Sequence, residues 1–277
     1  MKLPRIKTVL LFFFGAFALF YVFGAVMLAL RDDGIADFTG EPAPLNTVVI
    51  FGASGTTGDG ILKAVLADDR IKKAYVITRR LTPRIEVGVA AGQVEAIIHT
   101  DYLNYEAIES TIAEADGVFW AIGISAIGVD EKTYGMIHVD FPEAFLKTWI
   151  PLTENRDTSF QFISSSDISE DSSTMWVREK IRAERVLFGL ARGTRLKVIA
   201  HRPDYIGPTE EEAHLGQDLL YWFFAPVGAA VRAQQIGQAM LEIGVRLKDF
   251  ENGSKVGTRT IILHSDAYER RSETAGQ

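Results

Sequence analysis

The sequence predicts an α/β fold: a doubly wound parallel sheet with helices on both faces, preceded by one transmembrane helix. Three observations carry this expectation. An uncharged run extends from Thr8 to Leu30, between Lys7 and Arg31. From Thr47 onward, short apolar runs alternate with stretches of helical character. The first of those runs, Val48-Val49-Ile50-Phe51, ends in glycines at every third position, Gly52, Gly55 and Gly58.

Residues 1–7 form a basic N-terminus with Lys2, Arg5 and Lys7, and no acidic residue occurs before Asp32. The 23 residues 8–30 contain no charge. At about 1.5 Å per residue they make a helix of roughly 34 Å, enough to cross a hydrocarbon core of about 30 Å. A buried core helix seldom stays apolar on every face for that length. A cleaved signal peptide is the alternative: its basic start fits, but its apolar region usually spans about 7–15 residues. The reading is therefore a single-pass signal anchor in the endoplasmic reticulum or another endomembrane. The positive-inside rule places Lys2, Arg5 and Lys7 in the cytosol and the domain in the lumen, an orientation the sequence leaves open. One Asn252-Gly253-Ser254 sequon and the absence of cysteine are compatible with a lumen.

Residues 31–46, RDDGIADFTGEPAPLN, mix charge, Gly and Pro without periodicity and read as a linker. The folded domain is expected over 47–268, with a tail at 269–277. Its elements follow in order: a strand at 47–52, a helix near 58–67, and strands at 74–78, 94–100, 117–123, 159–164 and 196–201. Continuous apolar runs rather than strict alternation suit strands covered on both faces, and hence a parallel sheet with crossover helices. Residues 225–241 read as a late helix and 260–268 as a closing strand and turn. The thirteen-residue apolar run LLYWFFAPVGAAV (219–231) is too short for a second span and is interrupted by Pro226. It reads as a core helix followed by a packed loop, with a substrate pocket or the bilayer as other uses.

Composition excludes several chemistries. With no cysteine there is no thiol nucleophile, cysteine zinc site or disulfide framework. The five histidines, His99, His138, His201, His214 and His264, show no metal-ligand spacing, so no metal is expected. A net charge of -7 argues against nucleic acid as a partner.

The segment Gly52-Ala53-Ser54-Gly55-Thr56-Thr57-Gly58 lies between a strand and an amphipathic helix, the context a dinucleotide-binding turn of Rossmann type requires. Its glycines permit a tight turn and close approach of a pyrophosphate to backbone N–H groups at a helix N-terminus, where the dipole favours an anion. The second strand ends in Arg79-Arg80, where an NAD-preferring site would carry an acidic residue. Guanidinium groups there can clamp a 2′-phosphate, so NADP(H) is favoured over NAD(H). The alternative is that both are solvated loop charges. Asp101 and Tyr102, after the third strand, are placed to meet the adenine, although an Asp at a strand end is common for solubility alone.

The run VVIFGASGTTG, the VITRR strand end, the Thr100-Asp101-Tyr102 turn, FISSSD and HRPDYIGP together resemble the short-chain dehydrogenase/reductase superfamily. Within it the chain is most similar to the atypical branch of NmrA-like and Tat-interacting-protein oxidoreductase-like proteins. The resemblance covers about 46–268. It implies a Tyr four residues before a Lys on one helix face, with a Ser at the preceding strand end. Lys180 is in place; Trp176 stands where the Tyr belongs, and an indole N–H cannot take the tyrosinate role. Ser165 or Ser166 is the Ser equivalent, with a turn-capping role as the alternative. The resemblance also places Gly123 and Pro203 beside the cofactor, and Lys180 on its ribose. Together with the uncharged run and Arg79-Arg80, it leads to the reading of an NADP(H)-dependent, membrane-anchored oxidoreductase acting on a small or lipophilic carbonyl or alcohol, using an alternative proton donor, a water held by one of the serines or Tyr134. The competing reading is a dinucleotide-binding redox sensor or scaffold without turnover.

Overall fold

The computed structural model describes residues 6–30, 42–211, 213 and 215–275. Lys2, Arg5, most of the expected linker (31–41) and His214 lie outside the described residues. The first helix, α1 (Ile6–Ala29), is long and apolar enough to cross a membrane over Val9–Ala29, and none of that span is buried in the protein.

The domain then alternates strand and helix: β1 (Thr47–Phe51), α2 (Thr56–Leu66), β2 (Lys73–Thr78), α3 (Pro83–Ala90), β3 (Val94–Ile98), α4 (Glu109–Ile112), β4 (Gly117–Trp120). Next come α5 (Glu131–Gly135), a π turn at Met136–Asp140, α6 (Phe141–Leu152), β5 (Thr158–Ile163), α7 (Met175–Leu190), and β6 (Leu196–Arg202). The chain closes with β7 (Tyr205–Gly207), α8 (Leu215–Phe224), β8 (Ala230–Arg232), α9 (Ala233–Val245), β9 (Ser254–Gly257) and α10 (Thr258–Ala275). Seven parallel strands are ordered β3-β2-β1-β4-β5-β6-β9, with β7 and β8 paired separately.

Successive residues of a strand point to opposite faces, and here both faces are dry. From β1, Val48 and Ile50 join a cluster with Ile61, Leu62, Ile236 and Ile261, while Val49 and Phe51 join Phe145, Trp149 and Phe160 on the other side. Helices α2, α3, α9 and α10 therefore cover one face, and α4, α6 and α7 the other. The order of strands reverses direction between β1 and β4, the switch point where such sheets open a crevice at their carboxyl edge.

Five sequence expectations are corrected. Residues 260–268 belong to α10, not to a closing strand; Ile261, Ser265 and Tyr268 are buried at helical spacing, and the closing strand is the four-residue β9 before it. That helix continues through 269–275, where a tail was expected. The late helix starts at Ala233 rather than 225, because Pro226 and the left-handed Gly228 (φ 71°) hold a short 3-10 turn ahead of β8. Within 219–231, the helical part belongs to α8, yet none of its residues is buried, so it is no core helix. At the other end, the Ala43 N–H donates to the Val245 carbonyl and Leu45 is buried, so the last residues of the expected linker are already packed on the domain.

Candidate cofactor cleft

The turn from β1 into α2 is built by close approach. Gly52 has φ 80°, and a Cβ on it would lie 2.6 Å from the Ala121 backbone. A Cβ on Gly58 would lie 2.0 Å from the Gly52 carbonyl oxygen, so only glycine closes this turn. Gly55 caps α2 and its N–H is bonded to the Gly52 carbonyl. The first-turn N–H groups of Thr56, Thr57 and Gly58 have no carbonyl within the helix to bond. Ala53 and Gly58 are buried behind the turn, while Ser54, Gly55, Thr56 and Thr57 face the crevice. Close packing of α2 on the fold is the work of glycines the sequence reading passed over: a Cβ on Gly60 would lie 2.3 Å from the Ala233 backbone, and one on Gly237 2.7 Å from Ile61 Cα.

Two clefts meet over this turn. One, of about 560 Å³, is lined by Gly52, Ser54, Arg79, Arg80, Tyr102 and Phe141, among others. The second, of about 290 Å³, is lined by Thr56, Thr57, Tyr134, His138, Ile163 and Lys180, among others. They share Gly55 and Ala121 through Ile124, including Gly123, and so form one groove along the carboxyl edge of β1, β2, β4 and β5. Arg79 and Arg80 are exposed at its outer end, and an Arg80 Nη2 donates to the Ser54 carbonyl at 3.4 Å. Burial raises the Tyr102 hydroxyl pKa, opposed by the charge of Arg79.

At the inner end Lys180 is buried and its Nζ donates to the Ile163 carbonyl at 3.0 Å. Burial drives its pKa down to about 8, against the opposing pull of Glu184. The Tyr134 ring packs against His138 at a tilt of 33°, with centroids 4.1 Å apart. His138 Nε2 sits 3.2 Å from the Ile124 carbonyl, to which the Nε2–H tautomer donates. Burial, followed by the Lys180 charge, lowers His138 to about 3, so this ring is neutral; burial and then Glu179 push Tyr134 up to about 12. Gly123 makes room for the imidazole, since a Cβ there would lie 2.9 Å from His138 Cε1.

Several expected site residues stand elsewhere. Asp101 is exposed outside the groove, its Oδ1 accepting the Leu103 N–H at 3.1 Å; the short Asx turn satisfies its carboxylate locally. Ser164 donates to Glu184 at 2.7 Å, and Ser166 to Asp204 at 2.5 Å. Neither they nor half-buried Ser165 is among the residues lining the two clefts, and the run instead ties the exit of β5 to neighbouring elements. Pro203 is buried and offers its carbonyl to the Ser166 N–H, again outside the lining. Trp176 is half-buried on the helix face that carries Lys180, Ala183 and Leu187, and it does not line the groove. His138 was missed as a site residue, although its spacing of four from Tyr134 was the available signal for a shared helix face.

No protein-family model matches the chain. Among curated proteins it is similar to leucinostatins biosynthesis cluster protein T of Purpureocillium lilacinum, 28% identical over 180 residues, covering 62% of each chain. Among solved structures it is similar to an oxidoreductase of the short-chain dehydrogenase/reductase family from Burkholderia thailandensis (TM-score 0.62, 14% identity, 78% of this chain and 92% of that one). A 3-oxoacyl-[acyl-carrier protein] reductase from Brucella melitensis, in complex with NAD, gives TM-score 0.60 at 15% identity over 80% of this chain and 98% of that one. BdcA in complex with NADPH gives 0.59 at 14% over 76% and 92%. The likeness to these structures is one of fold: the chain has the Rossmann-like architecture of short-chain dehydrogenase/reductases.

Proposed function

We propose that the chain is a membrane-anchored oxidoreductase of the atypical, NmrA-like kind that binds NADP(H) in preference to NAD(H) and acts on a lipophilic carbonyl or alcohol. The observation that carries this reading is the continuous groove that runs from Arg79 and Arg80, past the first turn of α2, to Lys180, Tyr134 and His138. The residues present fit a dinucleotide: a glycine turn with no room for a Cβ, helix N–H groups facing the groove, and two guanidinium groups at its outer end.

When bound, the nicotinamide supplies a hydride to the substrate carbon, or accepts one from it. The chain must then deliver a proton to the oxygen. Lys180 meets that need without the missing tyrosine, because a buried ammonium with a pKa of about 8 is charged at neutral pH and gives up its proton readily. Tyr134 remains a hydroxyl and serves as a hydrogen-bond donor to the same oxygen. Neutral His138 buttresses the tyrosine ring and seals the inner end. Trp176 in the tyrosine position supports placement in the atypical branch.

The test uses the full chain in detergent micelles, titrated with NADPH and NADH and then assayed for NADPH oxidation on long-chain aldehydes and ketones. NADPH is expected to bind about tenfold tighter, with Arg79→Ala/Arg80→Ala removing the difference. Reductive kcat/KM is expected to fall as pH rises through about 8, as Lys180 loses its proton, and the reverse oxidation to rise over the same range. Binding without turnover on any substrate would favour the sensor reading, and binding of neither nucleotide would end both.

A further inference from the structure

Helix α8 has its polarity reversed. Its polar side is held to the protein: Asp218 pairs with Arg232 at 3.0 Å, the Arg232 guanidinium lies over the Tyr221 ring at 3.8 Å, and the backbone carbonyl of half-buried Gln217 accepts the Tyr205 hydroxyl. Its apolar residues face away. Leu215 is 85% exposed, Leu219 70% and Trp222 71%, and Leu220 and Phe223 flank them. Positions 215, 219 and 222 fall on one helix face, so this is a continuous stripe rather than scattered exposure.

The same helix is seated on α1. The Tyr21 hydroxyl donates to the Phe223 carbonyl at 2.5 Å, and the rings of Phe17 and Tyr21 stack on Phe223 at 6.4 and 5.3 Å. One turn further, a Cβ on Gly228 would lie 2.7 Å from Leu28, so glycine lets the 3-10 turn after α8 press on the anchor. Phe17 to Leu28 is a rise of about 16 Å, close to the thickness of one leaflet's hydrocarbon.

From this geometry we infer that α8 lies in the domain-side leaflet of a lipid bilayer beside α1, with Leu215, Leu219, Trp222 and Phe223 in the acyl region. The inference rests on α1 being a membrane anchor. The occupant of the face is lipid because the stripe is continuous with the span, and because a helix meets the backbone requirement of that environment. Its interior N–H and C=O groups are bonded along the helix, and in its last turn the Phe223 carbonyl receives the Tyr21 hydroxyl and the Phe224 carbonyl the Ala229 N–H. Together the two helices hold the domain against the surface at two points.

The absence of native cysteine makes the test clean. The full chain, carrying one introduced cysteine labelled with bimane, is reconstituted into phosphatidylcholine vesicles containing nitroxide-labelled lipid. Labels are placed at Leu219→Cys or, independently, Trp222→Cys on α8, at Phe13→Cys on α1, and at exposed Asn155→Cys ahead of β5. Quenching by lipid nitroxide at 219 and 222 within about twofold of that at 13, with none at 155, is the expected result. Quenching at 219 and 222 by aqueous iodide, with 13 still quenched from lipid, overturns the placement of α8 and leaves the anchor standing. Protection of 219 and 222 from both quenchers assigns the face to a second copy or a protein partner and likewise overturns it. Absence of lipid quenching at 13 overturns the anchor reading itself.

Discussion

Helices α2 and α8 are nearly equal in length, eleven and ten residues, α2 following β1 of the main sheet and α8 following β7 of the separate pair, yet they are turned in opposite senses. In α2 the apolar residues Ile61, Leu62, Ala64 and Val65 are buried against the sheet and α9. In α8 the inward positions are taken by Gln217, Asp218 and Tyr221, and every large apolar side chain is at least partly exposed. An apolar run fixes how much surface a helix must hide from water, but not from which side. The decision falls to the groups already waiting on the domain, here Arg232 and Tyr205, whose polar atoms α8 satisfies.

Substitutions can break this contrast. The largest effect is expected for Leu62→Ala, which leaves a cavity in the core beneath α2 and should cost about 2–5 kcal/mol in denaturant unfolding of the detergent-solubilised chain. Gly60→Ala forces a methyl into the Ala233 backbone and should cost about 1–3 kcal/mol by the same measurement; a smaller loss would mean that α2 and α9 can separate. On the other helix, Arg232→Ala removes the inward polar contacts and should cost about 1–2 kcal/mol, visible also as exposure of Tyr221 in near-UV circular dichroism. The smallest effect belongs to Leu219→Ala, expected within about 0.5 kcal/mol of wild type, although it truncates the same residue type as Leu62→Ala. Equal losses at 62 and 219 would erase the distinction.

What the sequence disclosed follows the same physics. Strands β1, β2, β4, β5 and β6 were legible because burial on both faces leaves continuous apolar runs, and the β1–α2 turn because only glycine fits where a Cβ would meet the Gly52 carbonyl. The closing strand was misplaced because β9 is four residues with one buried side chain, while the apolar residues after it are spaced for a helix. The roles of the serines were hidden because their partners, Glu184 and Asp204, lie 20 and 38 residues downstream. Lys180 was legible by position only; its depressed pKa arises from burial, which no local pattern encodes. His138 escaped notice because its place in the groove depends on contact with Gly123 and Ile124.

The π turn at Met136–Asp140 sits within the helical stretch that carries both Tyr134 and His138. Such a turn accommodates one residue more than an α-helical turn, so in genetic terms it is a single-codon insertion absorbed without breaking the helix. Deleting one residue there would restore regular winding and leave the two flanking segments close to their present phase, with the change confined to the turn itself. His138, inside the turn, would then shift relative to Tyr134 while α5 and α6 kept their packing. The wall of the groove at Tyr134 and His138 is thus a place where the chain can gain or lose one residue while the helices on either side hold their positions.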